Sequence, residues 1–500
     1  MEHQFKRRQQ ACLETAIREV RNMELTQEIK LPDAMPDIGQ ILCAWGQPVL
    51  RGKEWRSDSI SCSAGLMVWV LYTPEDGSPA QCIEGWIPFQ MRWDLPENVP
   101  EGTIRIHCIP RFVDARSVSA RKILVRAGTA AQAEAFVPRI LEFWEPEISG
   151  ETDTQLLQTQ WPLRLPVEAG ERSFVMDEEA EPSGLPAEPE KIISFHLEPK
   201  LTEKRVLGNK LVFRGTGYLH SLCRCTDGQL HSWDVEVPFS QFAQLQGEYG
   251  QDALCDICLS ATSMEPELGE NGRLRFKGGL VAQYLVTDRK MVTVAQDAYN
   301  PDREVQIQME TVQIPAVLDS RRENIYAEQT IPAEAMRMVE IGILPDFPRQ
   351  HPAQDGVELE MPGQTQILYY GTDGSLRAGT ARWEGKISVP AGENTRLLVS
   401  PGIAEEPKMT QMGGQISLGY QIPVEITAVT NQAVDMIAGL ELKELRKKDP
   451  DRPSLILRRA GEERLWEIAK ACGTTMESIR RINGLTAEPA PDRLLIIPVS

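Results

Sequence analysis

Four cysteines and a histidine carry the most specific chemistry in this chain. Cys223-x-Cys225 and Cys255-x-x-Cys258, with His220 close by, could offer four thiolates to a tetrahedral zinc ion. Cys-x-Cys is a poor zinc knuckle, and on a strand it sets two small apolar side chains on one face. Buried thiols are therefore the expectation, with no metal and no cofactor. The six histidines, His3, His107, His196, His220, His231 and His351, are scattered and none belongs to H-E-x-x-H. Gly215-Thr-Gly217 lacks the third glycine of a phosphate-binding loop, and no G-x-S-x-G occurs. Asp177-Glu-Glu179 reads as a solvated acidic surface, not as paired catalytic carboxylates. The chain is not expected to be an enzyme. Trp466 has two readings. Beside Arg464, Arg480 and Arg481 it suits a protein-binding hot spot; as a core residue it would cap a very small hydrophobic interior.

The elements that must position these residues show a threefold pattern. Three Asp-Gly turns recur at nearly equal intervals: Asp76-Gly77, Asp227-Gly228 and Asp373-Gly374. Each follows an apolar-Pro opener, Leu31-Pro32, Leu185-Pro186 or Ile331-Pro332. Each precedes a tryptophan and a Pro-bearing apolar stretch, at Trp86, Trp233 and Trp383. A lone Asp-Gly carries no weight, since hairpin turns are common; three in matching order imply three homologous units. Inside them the period is two. Trp233, Val235, Val237 and Phe239 alternate with polar residues or proline, and Ile416 to Ile426 keeps one parity, with Pro423 suggesting a sheet edge. The units are expected to be antiparallel β domains, sandwich-like or barrel-like. One helix is expected over Ala11–Asn22, from Leu13, Ile17 and Val20, and the stretch from Glu145 to Glu190 reads as an ordered lead-in. Near the C-terminus the period changes to that of a helix at Leu465, Ile468, Ala469 and Cys472, ended by Gly473. A capping box at Thr474 and Glu477 opens a second helix, and strands at Leu455–Leu457 and Leu494–Ile497 flank the pair.

Composition narrows the functional classes. The 500 residues allow roughly three to four domains. Lys plus Arg number 53 against 72 Asp plus Glu, a net charge of −19, which argues against a general nucleic-acid binder. No run approaches the roughly 20 apolar residues of a transmembrane segment, and the N-terminus has no secretory apolar stretch. A cytoplasmic location and ten reduced cysteines are the expectation.

The tail resembles a LysM module. The resemblance is carried by Gly461, Leu465-Trp466-Glu-Ile468-Ala469, Gly473-Thr-Thr475, Ile479, Ile482-Asn483-Gly-Leu485 and Leu494-Leu-Ile-Ile-Pro498. It implies a groove with Gly461, Glu462, Glu463, Arg464, Leu465 and Trp466 on one side and Asn483, Gly484 and Leu485 on the other. The family uses that groove for N-acetylglucosamine polymers such as peptidoglycan; this chain carries Gly461-Glu-Glu-Arg-Leu465, one residue longer and more charged than usual. The larger units resemble SPOCS domains of bacterial spore-coat proteins. Leu31-Pro32-Asp33-Ala-Met-Pro36-Asp37-Ile38 matches the opening of that domain, and Trp233-Asp-Val-Glu-Val237-Pro238-Phe239 matches its middle. Gly279-Leu280-Val-Ala-Gln283-Tyr284 followed by Asp297-Ala-Tyr299 matches its end.

Repeated SPOCS domains followed by one LysM resemble the SipL-like spore coat morphogenetic proteins. The expected domains are an N-terminal helix with the first SPOCS-like unit (1–146), an acidic lead-in with the second (147–312) and a divergent third (313–445). A linker (446–453) and the LysM module (454–500) follow. The resemblance implies a mainly β, non-enzymatic scaffold in the mother cell, at the outer surface of the forespore. There it would bind a morphogenetic ATPase like stage IV sporulation protein A through its LysM module. Glycan binding at the cell wall or cortex is the alternative.

Overall fold

The computed structural model describes residues 4–147, 153–269, 272–392, 394–445, 453–490 and 492–499. It is mainly β, with two short helices and several antiparallel sheets. The first six strands are β1 (Gln4–Lys30), β2 (Ile38–Trp55), β3 (Ser59–Pro74), β4 (Gln81–Asp94), β5 (Thr103–Ser119) and β6 (Lys122–Glu147). They form two sheets, ordered β1-β6-β5 and β2-β3-β4, which face each other across a core of Ile60, Leu66, Val68, Trp93, Ile106 and Val125.

Strands β7 (Gln155–Ala180), β8 (Pro189–Cys225), β9 (Leu230–Tyr249), β10 (Leu254–Leu268) and β11 (Leu274–Tyr299) give the orders β10-β11-β7 and β8-β9. The long β8 reverses at Gly208 (φ 60°). Across the reversal the Thr202 hydroxyl donates to the Arg214 carbonyl at 3.3 Å, and a Cβ on Gly215 would lie 2.2 Å from the Lys200 carbonyl oxygen. Its two halves therefore lie side by side, as β2 and β3 do.

The remaining large strands are β12 (Arg303–Pro332), β13 (Ala335–Pro345), β14 (Arg349–Ala353), β15 (Gly356–Gly371) and β16 (Leu376–Pro390), then β17 (Thr395–Pro401), β18 (Lys408–Met412) and β19 (Gln415–Leu445). One sheet runs β12-β19-β17 with β18 also on β19; the other runs β13-β15-β14 with β16 on β15. In all three groups the first strand pairs with the last. The three Asp-Gly turns join β3 to β4, β8 to β9 and β15 to β16 with one geometry. Their glycines have φ of 77°, 77° and 76°, and Asp76, Asp227 and Asp373 each accept from the N–H two residues on, at 2.9, 2.9 and 3.0 Å.

Each first–last pair runs beyond its third strand as a two-stranded ribbon. β5 meets β6 only as far as Phe136, whereas β1 follows β6 to Glu147. The free halves of β1/β6, β7/β11 and β12/β19 pack together through Cys12, Phe143, Leu165, Val294, Ile314 and Met436. Closer to the heads, a chain of charges, buried at Arg18, Arg105 and Glu134 and open to solvent at Glu425, ties the three groups: Arg18 and Arg105 both bind Glu134, Arg105 binds Asp256, and Lys204 lies 3.8 Å from Asp256 and 3.2 Å from Glu425. Burial alone would raise the Glu134 carboxyl, but Arg105 and Arg18 hold it below the usual carboxylate range. Glutamine side chains clamp neighbouring groups by copying a strand's pairing. Gln47 donates to the Leu197 carbonyl and accepts from its N–H, at 2.7 and 2.9 Å, and Gln283 does the same to Ile106, at 2.7 and 2.9 Å. Gln366, with its amide oriented to suit its neighbours, repeats the arrangement on Ala44.

Several local expectations are corrected. Ala11–Asn22 is not a helix but part of β1, paired with β6 along its length. A β-bulge between Thr15 and Ile17 breaks the strand alternation and leaves apolar residues at a helix-like spacing. The lead-in contains β7, a full partner of β11. The boundary placed between 312 and 313 falls inside β12. The turn lies at Asn300-Pro301-Asp302, where Asn300 accepts from the N–H groups of Asp302 and Arg303 at 2.9 Å each. Pro423 is not on an edge: β19 is central, and Pro423 sits where the chain between β17 and β18 leaves the ladder. Of the expected linker, residues 446–452 lie outside the described residues.

Candidate functional site

The candidate groove belongs to the C-terminal module, built from β20 (Leu455–Arg459), α1 (Leu465–Cys472), α2 (Met476–Asn483) and β21 (Leu494–Pro498). The two strands pair antiparallel, Leu457 opposite Ile496. Alternation turns Leu495 and Ile497 inward, onto Leu465, Ile468, Ala469, Cys472 and Ile479. Gly473, at φ 61°, ends α1 by donating to the Lys470 carbonyl. The cap of α2 is Thr475, whose hydroxyl accepts from the Ser478 N–H at 3.1 Å. The expected box on Thr474 and Glu477 is thus off by one residue, because Thr474 is buried and its carbonyl accepts from the Tyr299 hydroxyl at 2.8 Å.

The structure divides the expected groove residues into two sets. Gly461, Glu462, Glu463, Arg464 and Gly484 are exposed around the loops, with Glu463 paired to Arg458. Leu465 and Leu485 are buried in the module's core. Asn483 is occupied by its own backbone: its amide donates to the carbonyls of Ile479 and Ile496 at 2.8 and 2.7 Å and accepts from the Ile496 N–H at 2.7 Å. Glu488, absent from the sequence reading, accepts from the Leu465 N–H at 2.8 Å and lies 3.9 Å from Arg480. A carboxylate therefore stands between the two loops, at the start of α1.

Trp466 faces away from this groove. It is only 5% exposed, so its assignment as an accessible groove residue is corrected. Its indole N–H donates to Asp297 at 2.8 Å, and its ring meets Tyr299 edge-on with centroids 4.8 Å apart. Lys470 reaches both oxygens of the same Asp297 at 2.8 Å. Burial would raise the Asp297 carboxyl, but the hydrogen bonds from Lys470 and Trp466 hold it low. Burial, with Asp297 beside it, pushes the Tyr299 hydroxyl up to about 12. The end of β11 thus anchors the module. Asp297 lies 169 residues before Trp466, and nothing in the module's own sequence points to it or to Tyr299.

The other chemical candidates do not converge. Among the described residues no group of three or more His, Cys, Asp or Glu side chains is placed to hold a metal ion. Cys223 and Cys225 lie in the core around β8, and Cys255 and Cys258 flank Asp256 on β10. Burial pushes the thiols of Cys223 and Cys258 up to about 12 and that of Cys255 to about 11. Cys12, Cys43, Cys62, Cys82, Cys108, Cys223, Cys225, Cys255 and Cys258 are free thiols. His220 is raised to about 10: burial opposes its charge, but Asp234 at 2.7 Å and Glu198 at 3.6 Å favour it. A shallow, open concavity of about 520 Å³ lies over β2–β4, where Arg51 stacks on Trp86 with its guanidinium 4.9 Å from the ring centroid. Among the described residues no helix is long and apolar enough to cross a membrane.

No family model, no curated protein and no solved structure matches the chain.

Proposed function

We propose that this protein is a non-enzymatic adaptor of the bacterial spore coat, made of three SPOCS domains and a C-terminal LysM module. It tethers the coat basal layer to the forespore surface by binding a morphogenetic ATPase like stage IV sporulation protein A. The observation that carries this reading is how the module is held. Asp297 and Tyr299 fix one face of α1 to the end of a body whose three ribbons share a core. The remaining surface is presented to solvent as a fixed docking head. The recurrence of one strand order and one turn geometry supports the three-domain division.

A protein partner suits the groove better than a glycan. Glu488 bridges its two loops, Asn483 is used by β21, and the module's one tryptophan is buried against the body, leaving no aromatic platform on which a sugar could stack. Binding of the full chain to the purified ATPase and to purified peptidoglycan tests the proposal. Saturable capture of the ATPase is the outcome expected, whereas pelleting with peptidoglycan and no capture of the ATPase would replace it with the glycan reading.

A further inference from the structure

The two-stranded sheet of the module is apolar on both faces. Its inner face packs on the helices, while Leu455, Leu457, Leu494 and Ile496 stand on the outer face at 56, 67, 57 and 39% exposure. A strand apolar on both sides is ordinarily covered on both, and contiguous exposed apolar surface marks a contact site.

Charge indicates what covers it. Arg459 stands on the outer face opposite Leu494, and its guanidinium has no partner among the described residues. From Ser454 onward the chain carries seven basic and six acidic side chains, so the residues before it, which include the β body, carry −20, more than the whole net charge of −19. That body would be repelled by an anionic lipid surface. Face-to-face pairing of two copies would set like charges together, on a strip far short of the 20–30 residues per side of a stable complex. We infer that the outer face of β20 and β21 binds a short, acidic, amphipathic segment of a partner protein. Its apolar side chains would cover Leu457 and Ile496, and a carboxylate would pair with Arg459.

The inference rests on the adaptor reading and is tested separately from it, using the full chain. The probes are a fluorescent peptide with leucines on one face and glutamates on the other, its lysine counterpart, and phosphatidylglycerol vesicles. The variants are Leu457→Ser with Ile496→Ser, and Arg459→Glu; these positions are exposed, and unchanged melting verifies the fold. The acidic peptide should bind at least about tenfold more tightly than the lysine peptide, and both variants should lose that advantage. Equal binding of the two peptides, or unchanged binding by both variants, overturns the inference. So does finding that the Leu457/Ile496 variant abolishes vesicle pelleting or a dimer seen by ultracentrifugation, which would assign the strip to lipid or to a second copy. Binding of the acidic peptide without capture of the coat ATPase keeps the strip and removes the adaptor reading; capture unaffected by either variant does the reverse.

Discussion

At the scale of single residues, Trp466 shows what a sequence can and cannot convey. Its place beside the apolar face of α1 was legible from the helical period, but its partners lie on β11, far away in sequence. The Trp466→Ala substitution is therefore expected to release the module from the body. It should cost about 3 kcal/mol of docking and packing energy and raise amide exchange at Tyr299 and Thr474. Exchange unchanged at both would contradict the anchor. Glu340 makes a second case. It lies near Cys43, Cys82 and His220, where the three strand groups meet, and one of its buried carboxyl oxygens has no hydrogen-bond partner. Burial raises its carboxyl to about 7, with His220 opposing and Asp234 adding to the rise. A carboxyl raised in the folded state contributes stability that is full below its unfolded value, near 4.3, and is lost as pH rises through 7. The Glu340→Gln variant should lack this loss, so its melting temperature relative to the unsubstituted chain should climb between pH 6 and pH 8.5. A constant difference across that range would contradict the assignment.

At the scale of elements, legibility followed locality. The alternation in β9 and β19 and the helical period of α1 are local signals, and the structure contains those elements. In β1 one bulge imitates a helical spacing, and its Ala-rich partner β6 lies more than a hundred residues on, so the strand has no local signal. β7 was obscured by its acidic, Pro-bearing composition, although Leu163, Leu165 and Phe174 are buried. The Asp-Gly turns were the most dependable signal, since their glycines adopt a left-handed conformation that side chains disfavour. Replacing Gly374, at φ 76° with open space around it, by Ala tests strain alone. A loss of about 1 kcal/mol in denaturant unfolding is expected, and no loss would show that the turn relaxes to another geometry.

At the scale of the whole molecule, the central feature is that three groups of strands interlock. Their ribbons share one core, glutamine amides clamp group to group, and the Arg18–Glu134–Arg105–Asp256–Lys204–Glu425 chain of charges passes through all three. None of this was legible in advance, because each contact joins positions whose individual types are unremarkable on a strand. Such a body resists deformation. Where the protein resides tests that account most directly, by following a fluorescently tagged full chain through sporulation in its host. The adaptor reading expects the tag to gather at the forespore surface and to disperse when the coat ATPase is removed. A tag that stays evenly spread through the mother cell, or that reaches the forespore equally well without the ATPase, would contradict it.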